Sequence, residues 1–117
     1  MSARVAALVE QRAEMFEAMA PTWRAARLQE PFSPQIRSNR DRLMALGREH
    51  VAATFAPELA ASSDDTVLLD ALHGVTSWAT WESLRNDLKL DPAAACAVLL
   101  RVLHGLLETT DAEEARR

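Results

Sequence analysis

Residues 91–108 read DPAAACAVLLRVLHGLLE, and most of the expected architecture follows from this stretch. The Asp-Pro pair at its start predicts a helix, because aspartate caps free backbone amides and proline fits the first helical turn. Between Ala93 and Leu107 the only clearly polar residues are Arg101 and His104, three positions apart. The predicted helix reaches about Glu108 and is apolar around more of its circumference than one buried side requires.

An apolar surface this wide predicts that two sides of the last helix are buried. A chain of 117 residues has little room for a fully central helix, so the simplest second partner is another copy of the chain. The alternative is a helix at the centre of the chain's own core. The predicted homodimer pairs this helix and the one before it with their copies in a four-helix interface. Its predicted contact residues are Trp78, Val98, Leu99, Val102, Leu103 and Leu106.

The rest of the chain also predicts helices, because apolar residues recur at three- and four-residue spacing and no long alternating stretch supports strands. The first helix is expected over Ala3–Ala20, with Pro21 kinking or ending it before a short continuation. Ser33 caps a second helix that ends before Pro57. A small polar loop follows, and a third helix is expected over Thr66–Asn86. The fold class is therefore an all-α bundle of four to five helices.

Composition restricts the classes of function. With 49% apolar and 26% charged residues, the chain is expected to form one folded domain over residues 1–117. Its net charge of −4 argues against direct nucleic-acid binding, which needs a basic face. The single cysteine, Cys96, excludes an internal disulfide and fits a reducing compartment. No apolar run is long enough to cross a bilayer, so we expect a cytoplasmic protein without a membrane partner.

Two groups of motifs resemble the C-terminal domain of tetracycline-repressor (TetR/AcrR) family regulators. The first group is Ala20–Leu28 (APTWRAARL) followed by Pro31–Pro34 (PFSP). The second is Leu69–Leu72 (LDAL), then Thr76–Arg85 (TSWATWESLR), then Ala95–Leu103 (ACAVLLRVL). The resemblance covers roughly residues 4–108, and it lies in the order and spacing of the pieces rather than in any one of them.

The resemblance implies an all-helical homodimer whose last two long helices form the interface. It also implies a small-molecule pocket in this domain and a separate N-terminal helix-turn-helix that binds DNA. No helix-turn-helix precedes the first helix here, so DNA is expected as a partner only through a domain missing from this chain. The expected function is effector sensing and homodimerisation for a bacterial TetR-type transcriptional regulator. The alternative is a purely structural helical dimerisation module without a ligand.

Candidate ligand-binding residues come from their chemistry, because the pockets of the family vary too much for any residue to be transferred. Small-molecule pockets are mostly apolar with a few placed polar groups, and methionine and tryptophan provide adaptable and broad apolar walls. A small hydrophobic effector is therefore expected among the first three predicted helices. The predicted ligand-binding residues are Met15, Met19, Trp23, Met44, His50, Phe55, His73, Ser77 and Trp81. Each of them, taken singly, is also a residue that an ordinary helical core contains.

Catalytic and metal-binding motifs are missing from the sequence. It contains no Gly-rich phosphate loop, no nucleophile elbow and no paired carboxylate motif. The histidines His50, His73 and His104 fall on three different predicted helices, and Cys96 has no second ligand nearby, whereas a metal site needs three or four convergent groups. We therefore expect neither enzymatic activity nor a metal or other cofactor.

Overall fold

The computed structural model describes the backbone of residues 1–115 and the side chains of residues 1–108, and its regular elements are all helical. The six α-helices are α1 (Ser2–Gln29), α2 (Pro34–Thr54), α3 (Ala56–Ala61), α4 (Asp65–Val75), α5 (Trp78–Glu82) and α6 (Pro92–Ala115). A 3-10 turn at Glu30–Phe32 joins α1 to α2, and a π-helical turn at Ser83–Asp87 follows α5. The predicted all-α class is confirmed, and the described part of the chain has six helices where four to five were expected.

Two helix starts follow directly from the local sequence. The Ser33 hydroxyl accepts a hydrogen bond from the backbone amide of Ile36 at 3.3 Å, and α2 begins at the proline that follows Ser33. An Asp91 carboxylate oxygen accepts from the amide of Ala94 at 2.8 Å, and α6 again begins at a proline. Both predicted caps are confirmed. The first helix differs from its prediction, since it continues through Pro21, which is exposed, instead of ending there.

The predicted third helix is divided in two between Val75 and Trp78. Thr76 donates its hydroxyl to the carbonyl of Leu72 at 2.8 Å, and Ser77 donates to the carbonyl of Gly74 at 2.8 Å. The backbone of Ser77 is extended, and its hydroxyl accepts a hydrogen bond from the amide of Thr80, in the first turn of α5. These side chains satisfy the carbonyls that end α4 and the amides that begin α5. The polar loop expected over Ala60–Asp65 also begins later, because α3 continues to Ala61.

Helix α6 packs against α1, α3 and α4 and supplies a stripe of the core. The buried positions on α6 recur every four residues, at Ala95, Leu99, Leu103 and Leu107. This finding corrects the predicted dimer interface, because Leu99 and Leu103 belong to the chain's own core and offer no surface to a second copy. Helix α1 lies along the same core with residues such as Val5.

Helix α2 is the least buried of the long helices. Its 21 residues include a single buried one, Val51. Its middle carries exposed apolar side chains, among them Leu43, Met44 and Leu46. The radius of gyration is 15.3 Å, whereas a compact domain of this length has about 13 Å, and the extents are 51 × 30 × 20 Å. The molecule is therefore elongated, and α2 is held to it mainly near its C-terminal end.

Candidate functional site

A buried arginine lies where α1 meets α2. Arg12 is 7% exposed and stands on the apolar side of α1, one turn before the core residue Phe16. Its Nη2 donates to the backbone carbonyl of Gly47 at 3.2 Å and lies 3.4 Å from Nδ1 of His50. The His50 nitrogen accepts when the ring proton is on Nε2. The buried Nε of Arg12 has no hydrogen-bond partner among the described residues.

Gly47 is the residue of α2 that lies next to this guanidinium. A Cβ added to Gly47 would lie 3.7 Å from Nη1 of Arg12 and 3.8 Å from Cε1 of His73. Arg12 of α1 and His73 of α4 thus both lie next to Gly47 of α2. We call Arg12, Gly47, His50 and His73 the Arg12 cluster, and three helices contribute to it.

The positive charge of the Arg12 cluster is not balanced by a carboxylate of residues 1–108. No described carboxylate forms an ion pair with Arg12, and burial lowers the pKa of its guanidinium. Burial also lowers the pKa of His73, and the positive charges of Arg48 and Arg12 lower it further, while Asp70 opposes them. Arg48 is itself paired with Asp70 at 2.6 Å. The cluster thus has an excess of positive charge and of hydrogen-bond donors, which is the chemistry that recognises an anion.

A second cluster joins α1 to α5 through aromatic rings. Phe16 contacts Trp23 and Trp78 edge-on with ring centroids 5.7 Å apart in both cases, and the Trp23 and Trp78 rings are 5.2 Å apart. Trp81 is tilted against Phe16 at 6.2 Å, and the Arg24 guanidinium lies 5.9 Å above Trp78. These edge-to-face contacts fill the space between the two helices.

Trp81 is also anchored by a polar contact. Its indole Nε1 donates to a carboxylate oxygen of Glu17 at 2.9 Å, and Arg85 donates to the other oxygen at 2.7 Å. The hydrogen bond from Arg85 is the largest cause that lowers the pKa of Glu17. The indole donor of this buried tryptophan is therefore already satisfied within the chain.

The nine predicted ligand-binding residues divide among several environments. His50 and His73 belong to the Arg12 cluster. Met44 lies one turn before Gly47 on α2, and its side chain is exposed. Trp23 and Trp81 belong to the aromatic cluster. The remaining positions lie elsewhere: Phe55 is core, Met15 is packed against the core, Met19 is exposed and Ser77 caps α5.

These environments correct the expected single pocket. Phe55 and Trp81 are packed into the core and so are not walls of an open space. A surface cavity of about 240 Å³ lies instead at the turn between α1 and α2. It is lined by Arg27, Glu30, Pro31, Arg37 and Arg40. None of the nine predicted residues lines it, and Glu30 already pairs with Arg40 at 2.6 Å.

The predicted dimer residues also separate into two sets. Val98 and Val102 are exposed on α6, at 37% and 38%. Leu106 is partly buried against the core, and Trp78 is partly buried in the aromatic cluster. Together with the burial of Leu99 and Leu103, this leaves the two valines as the accessible apolar residues of the predicted interface.

Arg12 was not among the ligand-binding residues predicted from the sequence. A signal for it is present in the sequence, because Arg12 is a charged residue on the apolar stripe formed by Leu8, Val9 and Phe16, at spacings of three and four. A charge at such a position has to be buried with a partner or to serve a function.

Comparisons of the chain with known protein families, with curated proteins and with solved structures returned no match. Within the part of the chain that the structure describes, no helix is both long enough and apolar enough to cross a membrane. No group of three metal-ligating side chains is found in that part either, so His50 and His73 are not joined by a third ligand there.

Proposed function

We propose that this chain is the regulatory domain of a transcriptional regulator of the TetR type, which forms a homodimer through α6 and responds to a small effector. The observation that carries the proposal is that α6 has apolar residues both in the chain's own core and on its accessible surface. One stripe of this helix is covered by the chain itself, while Val98 and Val102 beside it stay exposed. Burying such apolar surface against a second copy is favourable.

The motif order supports the family assignment. The TSWATWESLR motif spans α5 and its π-helical turn, and the ACAVLLRVL motif lies in α6. These are the segments that the resemblance assigns to the dimer interface. DNA would be bound by a separate helix-turn-helix domain rather than by these helices. The Arg12 cluster supports the sensing part of the proposal, because it places a buried hydrogen-bond donor without an acceptor in the described part of the chain, Arg12 Nε, at a contact between helices.

The dimer is tested by placing charge on the exposed side of α6. In the Val98→Arg/Val102→Arg double variant, two guanidinium groups would have to be buried between the copies, which is strongly unfavourable. Light scattering should give twice 12.9 kDa for the wild type and 12.9 kDa for the double variant. The control is Val67→Arg on α4, because Val67 is 63% exposed and lies outside the proposed interface. It should remain dimeric.

Both valines are exposed in the single chain, so the two arginines should change association without unfolding the chain. The double variant should keep the helical circular dichroism spectrum and the cooperative melting of a folded protein. If it keeps the mass of a dimer while folded, the proposed interface on α6 is incorrect. Substituting Leu99 or Leu103 would not make this distinction, because a charge there disrupts the core itself.

A dimerisation module without a ligand is the second candidate. It is favoured by the packing at Gly47, where an added Cβ would meet neighbours at ordinary contact distance. It is also favoured by Phe55 and Trp81, which lie in the core rather than around an open space. In this case the dimer would form as proposed, and no small molecule would stabilise the chain.

A further inference from the structure

We infer that the Arg12 cluster binds the carboxylate of a small hydrophobic organic acid. The inference rests on the sensing part of the proposed function and gives the effector a chemical class. It starts from Arg12, whose side chain brings a positive charge into the contact between α1 and α2 with no described carboxylate to balance it. A buried charge is stable only when it is paired or fully hydrogen-bonded.

The hydrogen bonds made by Arg12 leave this requirement unmet. A guanidinium has five N–H donors, and only Nη2 has acceptors within the cluster, at Gly47 and His50. The buried Nε–H has none. A carboxylate has two acceptor oxygens in a plane, and it pairs with two parallel N–H groups of an arginine. It would supply both the missing negative charge and the missing acceptor.

The two histidines extend the recognition of an anion. His50 of α2 faces Arg12 with the acceptor Nδ1, and His73 of α4 lies beside Gly47. Displacement of α2 would allow each ring to turn its single N–H donor toward an anion bound at Arg12. The cluster holds a single uncompensated guanidinium, since the neighbouring Arg48 is paired with Asp70. One such charge matches a singly charged carboxylate better than a doubly charged phosphate.

The surroundings point to an apolar body on the acid. On α2, Val51 lies one turn after Gly47 and is fully buried, and Met44 lies one turn before it and is exposed. Leu72 precedes His73 on α4 and is also fully buried. Because Val51 and Leu72 are covered by the chain's own core, an aliphatic or aromatic group beside the carboxylate would contact Met44, the accessible apolar side chain next to the cluster.

Helix α2 is the element that such a ligand would displace. Because Arg12 Nε is buried, a carboxylate reaches it only if the helices around it separate, and the contacts of Nη2 with Gly47 and His50 make α2 the helix that we expect to move. Val51 is the one buried residue of α2, whereas α1 has seven, so we expect α2 to separate from the bundle more easily than α1. The carboxylate would replace the Gly47 carbonyl as acceptor, and binding would favour the displaced position of α2.

The test uses acetate, benzoate and octanoate, with benzamide and octanol as uncharged counterparts. In the wild type, the Arg12 side-chain Nε–H resonance in ¹H–¹⁵N spectra should shift on titration with octanoate or benzoate. The melting temperature should rise with the same acids and not with the uncharged compounds. Arg12→Met should lose the increase in melting temperature with the acids. Arg42→Met, which removes an exposed arginine of α2, should keep both this increase and the shift of the Arg12 resonance.

Two outcomes would contradict the inference. If none of the three acids moves the Arg12 resonance, or if Arg12→Met melts higher with octanoate by the same amount as the wild type, the Arg12 cluster is not a carboxylate site. The molar mass of the same samples separates this failure from that of the dimer. A dimer that does not bind the acids overturns only the inference about the effector, and a monomer that binds them overturns only the dimer.

Discussion

Val98 and Leu99 are consecutive residues of α6, yet Leu99 is 1% exposed and Val98 is 37% exposed. The boundary between the chain's own core and its accessible apolar surface therefore runs between two neighbouring aliphatic side chains. Leu103 lies with Leu99 on the core side, and Val102 lies with Val98 on the exposed side. The dimer proposed above depends on the valines, and the stability of the single chain depends on the leucines.

Truncating Leu99 should measure the contribution of α6 to the core. Leu99→Ala removes buried methyl groups and leaves a cavity, so the free energy of unfolding should fall by about 2–5 kcal/mol in urea titrations. Leu88→Ala deletes the same atoms from a residue that is 62% exposed, and it should change stability by about 0.5 kcal/mol or less. Equal effects of the two substitutions would contradict the placement of Leu99 in the core.

The ion pair between Arg4 and Glu58 should make stability depend on pH. Arg4 donates to both carboxylate oxygens of Glu58 at 2.6 Å, and this contact is the main cause that lowers the pKa of Glu58. A folded-state pKa below the unfolded one gives stability that is present above the ordinary value of 4.5 and is lost as the pH falls through the folded value. Glu58→Gln should therefore melt below the wild type at neutral pH.

The difference in melting temperature between Glu58→Gln and the wild type should narrow below pH 4.5, as Glu58 of the wild type becomes protonated. Glu14→Gln on the exposed side of α1 provides the matched control, and its difference in melting temperature from the wild type should not change with pH in this way. A gap for Glu58→Gln that stays constant from neutral to strongly acidic pH would show that the charge of Glu58 does not stabilise the fold.

Gly47→Ala should stabilise the single chain. The added Cβ would lie 3.7–3.8 Å from its nearest neighbours in Arg12 and His73, which is ordinary contact, and alanine is favoured over glycine inside a helix by about 0.5–1 kcal/mol. An increase of up to about 1 kcal/mol in the free energy of unfolding is expected. Gly74→Ala, where an added Cβ meets nothing within 4 Å, is the comparison. A loss of stability in Gly47→Ala alone would mean that Arg12 and His73 leave no room there.

Removing the cap of α6 should cost about 1 kcal/mol of stability. In Asp91→Ala, the amide of Ala94 loses the carboxylate oxygen that it contacts at 2.8 Å. Asp87→Ala, a nearby exposed aspartate, should have a smaller effect on chemical denaturation. If the two variants unfold alike, the carboxylate of Asp91 does not stabilise the start of α6.

The helices and their caps were predictable because their signals are local. Ser33 and Asp91 are each followed by proline, and each side chain bonds an amide three residues later. The break between α4 and α5 was missed although Thr76 and Ser77 cause it locally. Hydroxyl groups inside an apolar helical pattern are compatible with a continuous helix, and only their bonds to the Leu72 and Gly74 carbonyls reveal the break.

The functional surfaces were less predictable because they depend on which helices meet. Val98 and Leu99 are equivalent in an apolar pattern, and the packing of α1, α3 and α4 decides which of them is covered. Arg12 lies 35 positions from Gly47, so no local pattern shows that its Nη2 contacts that carbonyl. His50 and His73 were selected for their chemistry, and their meeting at Arg12 required the tertiary structure.

The dimer is tested most directly by sedimentation equilibrium of the unmodified chain over a range of concentrations. We predict a molar mass that approaches twice 12.9 kDa as the concentration rises, with dissociation on dilution or on placing charge at Val98 and Val102. A folded chain of 12.9 kDa at the highest soluble concentration would contradict the role assigned to α6.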